Sequence, residues 1–224
     1  VLSRIAAVVV PSFGRLTVTS DHASAPAAGS IIVANHTSLA DPGIVLAALL
    51  RLGVEPVVLA TAGLWRIPVL GRLLEHGGHV PVHRHTHRAA DALDEAAAAL
   101  GDGRHVLIYG EGRLPGRTDA AEAPPESFRS GLARLAHASG APVVPLGQAG
   151  ARRVTSGRCV KQISGLLTAP ARRPRLHVGA SLHLPPDVEA ATARARDAVT
   201  SAWRTAAGHL GEPAARVAAA TRAA

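Results

Sequence analysis

A histidine and an aspartate, His36 and Asp41, stand in the segment Ser30 to Pro42, directly after the apolar run Ile31 to Ala34. An imidazole of ordinary pKa takes a proton from an attacking hydroxyl or amine when a carboxylate fixes its tautomer and stabilises the cation that forms. Asp41 is placed to be that carboxylate. The same spacing suits a plain helix start, in which His36 caps the helix that follows and Asp41 sits in its first turn beside the helix dipole. Spacing alone leaves both readings open.

Other polar residues follow apolar runs in the same way. Arg84 comes after His79 to His83, and Glu111, Gly112 and Arg113 come after His105 to Tyr109. Guanidinium groups bind carboxylate and phosphate oxygens in a fork, so Arg84 and Arg113 are candidate anion ligands; the alternative is a plain ion pair of Arg84 with Asp91 or Glu111. His76, His79, His83, His85 and His87 raise the question of a metal, because imidazoles at alternate positions share one face of a strand. No cluster of Asp or Cys accompanies them, so packing or solvated histidines are expected and no metal is assigned. The single Cys159 excludes an intrachain disulfide and fits a reducing compartment. It has no nucleophile motif around it, and no G-x-S-x-G turn occurs anywhere.

The elements that must position these groups read as strand and helix in alternation. Leu16 to Ser20 alternates like a half-exposed strand, Ile31 to Ala34 is a buried one, and Gly43 to Leu52 is the helix after it. Val54 to Ala60 is the next strand, and Leu64 to Leu74 is an irregular helical segment interrupted by Pro68. His79 to His83, His105 to Tyr109 and Pro142 to Leu146 are strands, separated by helices at Arg88 to Leu100 and Phe128 to Ala138. Residues 115–126 have the Pro, Gly and charge content of an exposed loop. Val160 to Ser164 and Arg175 to Ala180 are further strand candidates. Asp187 to Leu210 closes the fold as an amphipathic helix with Val188, Ala191, Ala195, Val199, Ala202 and Ala206 in one stripe. This pattern predicts an α/β fold: a mostly parallel central sheet flanked by helices on both faces, in a single domain spanning 1–224. Ligands of such sheets bind beyond the carboxyl ends of the strands. His36 to Asp41, Arg84, Glu111 to Arg113 and Gly147 are therefore expected on one rim.

Composition supports one core and limits the partners. The chain has 224 residues, 47% of them apolar, but only five aromatic residues, so its packing rests on Ala, Val and Leu. The net charge of +8 implies attraction to an anionic partner. No aromatic RNA-binding signature, zinc-finger spacing or recognition helix accompanies that charge, and no nucleic acid is expected as a partner. No window approaches the roughly 20 apolar residues of a membrane span. The short run Ile5 to Val10 reads as an interfacial or core-packed helix. The basic segment Arg152 to Arg175 is either a solvated face or a peripheral contact with an anionic membrane surface.

Taken in order, four blocks carry a resemblance. His36-Thr-Ser-Leu-Ala-Asp41, preceded by Asn35, resembles the NHxSxxD block of the glycerolipid acyltransferases, the lysophosphatidic acid acyltransferase family. Gly78-His-Val-Pro-Val-His-Arg84 is similar to their second block, which ends in a phosphate-binding arginine. Tyr109-Gly-Glu-Gly-Arg113 resembles the third, usually FPEGTR, and Phe128-Arg-Ser-Gly131 the FKxG that follows it. Pro142-Val-Val-Pro145 resembles the fourth. The series covers residues 30–147, about half the chain. Gly110 stands where proline is usual, Arg113 follows Gly112 directly, and His83 replaces a common acidic residue.

The resemblance implies acyl transfer from an acyl thioester, acyl-CoA or acyl carrier protein, to a hydroxyl of a lysophospholipid such as 1-acylglycerol-3-phosphate. It makes His36 and Asp41 the catalytic pair, with His36 as general base. It makes Arg84, Glu111, Gly112 and Arg113 the substrate-binding residues, Glu111 ordering the acceptor's glycerol hydroxyl or one of the arginines. No permanently bound cofactor is implied. The expected location is cytoplasmic, with peripheral contact at the inner face of the cell membrane. Two alternatives stand beside this one: the same chemistry on a hydroxyl or amine of a specialised metabolite, and a non-catalytic lipid- or nucleic-acid-binding module.

Overall fold

Ile31, Ile32, Val33 and Ala34 offer water no polar side chain on either face, and all four are fully buried in the middle strand of a seven-stranded sheet. The computed structural model describes residues 1–23, 25–84, 90–114, 122–151 and 173–210. Its strands are β1 (Thr17–Ser20), β2 (Ile31–Ala34), β3 (Val57–Thr61), β4 (Val80–Val82), β5 (Val106–Tyr109), β6 (Val143–Ala149) and β7 (Arg175–Val178), in the order β1-β7-β6-β2-β5-β3-β4. Every neighbouring pair is parallel except β6 and β7. The expected mostly parallel sheet is therefore found, with an antiparallel step that turns β7 and β1 the other way.

The described helices are α1 (Leu2–Val9), α2 (Asp41–Arg51), α3 (Pro68–His76), α4 (Asp91–Gly101), α5 (Gly131–Ser139) and α6 (Val188–Gly208). Strand alternation sends their cores to opposite faces. Ile32, Ala34, Leu107, Val144 and Leu146 pack with the apolar side of α2 and with Ala6 and Val10. Ile31, Val33, Val106 and Val143 pack with α4, α5 and α6 through Ala96, Leu132, Leu135, Ala195 and Val199. Helices thus cover both faces, as expected. In α6, Ala191, Ala195, Val199, Ala202 and Ala206 form the buried stripe, and the Asp187 carboxylate caps the helix by accepting the Ala190 N–H at 2.7 Å.

Local differences from the expectation have identifiable causes. The helix after β2 starts at Asp41, two residues early, because Pro42 at its second position needs no N–H partner there. Pro68 divides Leu64 to Leu74 into a 3-10 turn at Ala62–Arg66 and α3, which begins on the proline itself. Residues 122–126 are not an exposed loop: Glu122 and Pro125 are buried, and Glu122 Oε1 accepts the Gly150 N–H at 2.8 Å. Gly147 is not on the rim. It lies inside β6, where a Cβ would come within 2.0 Å of the Trp203 nitrogen, so the missing side chain lets α6 lie directly on the strand. The strand candidate Val160 to Ser164, Cys159 and most of the basic segment fall outside the described residues.

Gly147→Ala therefore places a methyl group inside the backbone of α6. Overpacking of a core commonly costs about 1–3 kcal/mol, and a backbone that cannot rotate away puts this variant at the upper end or above. Denaturant unfolding of wild type and variant measures the loss.

Candidate active site

Past Ala34 the chain leaves the sheet, and its first residue is held hard. Asn35 is fully buried and clasps the end of β6: its Nδ2 donates to the Gln148 carbonyl at 3.1 Å and its Oδ1 accepts the Gln148 N–H at 2.8 Å. The Gln148 side chain returns the contact, donating from Nε2 to the Asn35 carbonyl at 3.0 Å. Two chain ends are thereby locked together before the turn toward α2 begins.

Asp41, at the first position of α2, is fully buried. Its Oδ2 accepts the backbone N–H groups of Thr37 and Ser38, the latter at 2.8 Å, while Oδ1 accepts the Ser38 hydroxyl at 2.8 Å and that of Thr37 at 3.2 Å. Such a donor set, added to the positive end of the helix dipole, is what an ionised carboxylate requires away from water. His36 Nδ1 lies 2.9 Å from Asp41 Oδ2. A carboxylate can only accept there, so in the neutral ring this contact selects the tautomer with its proton on Nδ1 and a free lone pair on Nε2. Among the described residues Nε2 has no hydrogen-bond partner, and the side chain is 15% exposed. The plain helix-start reading holds only for Asp41, which is the first-turn acid and also the imidazole's partner; His36 does not cap α2, whose N-cap is Ala40 with no side-chain cap bond. Ser38 does not cap α2 either; it serves Asp41.

The end of β5 forms the floor beneath this pair. The Tyr109 ring stacks on His36 with centroids 4.3 Å apart and planes inclined by 26°. Its hydroxyl is buried without a hydrogen-bond partner among the described residues, and burial first, then Asp41 and Glu111, raise its pKa well above the usual phenol. Glu111 is 3% exposed, and its Oε2 accepts the His36 backbone N–H at 2.8 Å. Burial is the main reason its pKa is raised to about 8, with Asp41 adding to it against the backbone donors.

The predicted cations sit farther out. Arg84 is exposed at the end of β4, and among the described residues no partner holds its guanidinium. Arg113 is 63% exposed and pairs with Glu126 at 3.4 Å. Glu111 thus meets the backbone of His36, and no arginine bonds its carboxylate among the described residues. Gly110, at the position where proline is usual in the resembled block, lies under the Phe128 ring: a Cβ there would come within 2.3 Å of it. His79 is a packing histidine, its Nδ1 accepting the Val58 N–H at 3.1 Å, and burial, then Arg104, lowers its pKa to about 4. No group of three or more His, Cys, Asp or Glu among the described residues is arranged to hold a metal; His85 and His87 fall outside them. Sequence reading missed the parts played by Asn35, Gln148 and Tyr109. Their only signal was adjacency to the strand ends, which says nothing about which way a side chain turns.

A family model described as Acyltransferase matches residues 15–148, more than half of the chain. The chain belongs to the acyltransferase family. The match contains all four blocks and both members of the His36–Asp41 pair, so this acyltransferase is an enzyme of the class its residues suggested. No curated protein sequence matches it. Among solved structures, the crystal structure of the 1-acyl-sn-glycerophosphate (LPA) acyltransferase PlsC from Thermotoga maritima is similar, with a TM-score of 0.70 and 20% identity, covering 95% of this chain and 80% of that one. At that identity the likeness speaks for the fold of the acyltransferase.

The raised pKa of Glu111 has a measurable sign. Its proton is held in the folded state up to about 8 but lost from an unfolded glutamate near 4.5, so the folded state binds more protons between these values and stability falls as pH rises through them. Denaturant unfolding across that window should show Glu111→Gln gaining on wild type by about 1.4 kcal/mol per pH unit, with no such gain below it.

Proposed function

We propose that this acyltransferase moves a fatty acyl group from an acyl thioester to a hydroxyl of a lysophospholipid such as 1-acylglycerol-3-phosphate, with His36 as general base. The observation that carries this reading is the 2.9 Å contact between His36 Nδ1 and a fully buried, fully hydrogen-bonded Asp41, at the carboxyl end of the central strand. Nε2 takes the acceptor's hydroxyl proton as the oxygen attacks the thioester carbonyl carbon. The tetrahedral intermediate expels the thiolate, which takes from the imidazolium the proton that came from the acceptor, and Asp41 stabilises that cation in between. The fold likeness to a protein described as a 1-acyl-sn-glycerophosphate acyltransferase supports a phosphorylated acceptor. Arg84 and Arg113, both exposed beyond parallel strands on the same side of the sheet, are the candidate phosphate ligands, Arg113 exchanging Glu126 for the phosphate. Gly112, at φ +66°, makes the turn that carries the chain from Glu111 to Arg113. Acyl-CoA and acyl carrier protein both fit as donor, because either presents the same thioester.

One observation favours the second reading, a specialised hydroxyl or amine acceptor: Arg113 already has a carboxylate partner in Glu126. An acceptor panel separates the two. His36→Ala should abolish acceptor-dependent thiol release while the circular dichroism spectrum is retained; unchanged turnover would remove His36 from the chemistry. Arg113→Ala should raise KM for a phosphorylated acceptor about tenfold or more, the loss of one charge-assisted contact, and leave an unphosphorylated one nearly untouched. Equal effects on both favour the specialised acceptor.

The enzyme would work at the inner face of the cell membrane as a peripheral protein. No helix among the described residues is long and apolar enough to cross a membrane. Val8, Val9, Leu39, Ile67 and Val69 are nevertheless exposed, Val69 by 73%, and Arg66 and Arg72 flank the last two. Ile67→Asp with Val69→Asp should reduce co-sedimentation with anionic phosphatidylglycerol vesicles, and unchanged binding would place any lipid contact elsewhere.

A further inference from the structure

The ladder between β2 and β5 opens in an unusual way at the site. The two strands pair in register from Ile31 with Val106 to Ala34 with Tyr109, and Gly110 N–H still donates to the Ala34 carbonyl at 3.2 Å. Continuing a parallel ladder, the next donor is the His36 N–H and its acceptor the Gly110 carbonyl. Neither bond partner is used that way. The Gly110 carbonyl accepts the Arg129 N–H at 2.9 Å, and the His36 N–H goes to the Glu111 side chain at 2.8 Å. A turn makes this possible: Gly112 N–H returns to the Tyr109 carbonyl at 3.0 Å, with Gly112 at φ +66°, where a side chain would be strained.

We propose that Glu111 is a positioning residue, which replaces the missing ladder bond and fixes the main chain of His36, and that it does not bind the acceptor. The inference rests on the reading of His36 as the base. Three contacts then hold the imidazole from three directions: Asp41 on Nδ1, the Tyr109 ring on its face, and Glu111 on the peptide nitrogen behind it. Only Nε2 is left for substrate. A carboxyl group 3% exposed and already spent on a backbone donor has little surface to offer an acceptor hydroxyl. The groups facing it are the His36, Glu111 and Glu126 backbone N–H groups, the Asp41 carboxylate and the Tyr109 phenol. Releasing the His36 backbone frees the ring to drift, and misplacement by about 1 Å is enough for about a 10²-fold loss of rate.

Kinetics and a signal independent of turnover test the proposal together. Glu111→Ala should lower kcat about 10²-fold with the acceptor KM within about twofold of wild type, and Glu111→Gln, whose amide oxygen still accepts the N–H, should recover most of that loss. A rise in acceptor KM at constant kcat, or a Gln variant as impaired as Ala, would overturn it. In nitrogen-15 NMR spectra of the full chain, the His36 amide should lie downfield and titrate with a midpoint near 8 in wild type, and the titration should vanish in Glu111→Gln. A His36 amide indifferent to that substitution overturns the proposal even where no acyl transfer is detected. The same signal in a protein lacking turnover would leave Glu111 in place and remove only the role of His36 as base.

Discussion

A carboxylate removed from water is tolerated only where donors replace the solvent, and in this acyltransferase that condition is met by folding three successive residues, His36, Thr37 and Ser38, around Asp41. Two backbone N–H groups, two hydroxyls and the His36 ring converge on its two oxygens, at the positive end of α2. The arrangement determines more than the charge. Thr37 and Ser38 must turn their amides inward, which makes the connection between β2 and α2 tight and sets His36 at its outer edge. The tautomer, orientation and environment of the imidazole therefore follow from one buried charge.

The sheet supplies the rigidity that this turn lacks by itself. Because β2 is the middle strand, it is flanked on one side by β6 and on the other by β5, and each neighbour contributes a side-chain clasp just beyond the last paired residue. Gln148 and Asn35 bind each other across the gap to β6; Glu111 and His36 do so across the gap to β5. Strict alternation along the strands puts Ala34 and Tyr109 on the same face as α2, which is why the ring of Tyr109 reaches the imidazole. The apolar packing below and the polar clasps above are parts of one assembly.

Much of this was legible from residue order alone. The all-apolar run at residues 31–34 reads as a buried strand, and the Ala-rich stripe of the last helix fixed its buried side within a residue or two. The pairing of His36 with Asp41 was legible as a possibility, because a helix beginning beside the aspartate brings it back toward the loop. What could not be read was direction. Glu111 reads the same in the sequence whether it faces substrate or the interior, and only the turn at Gly112 decides. Gly147 looked like a strand end because a glycine breaks an apolar run, yet the reason for it is the backbone at Ala202 and Trp203 in a helix that begins only at Val188. The acidic, proline-rich stretch at 122–126 had the composition of a surface loop, but one hydrogen bond from Gly150 draws its glutamate inward. The antiparallel step from β6 to β7 has no local signature, since strand direction depends on the route of the connection.

The unequal anchoring of the polar residues has a bearing on how such a protein can change. His36 and Asp41 are tied into β2, β5 and α2, so almost any substitution among their neighbours disturbs the core as well as the pair. Arg84 and Arg113 are exposed beyond the ends of β4 and β5, one of them held by a single surface carboxylate. Substitution of the outer cations should therefore cost little stability, whereas changes at the inner pair reach the core, so variation tolerated by this scaffold is concentrated at its periphery.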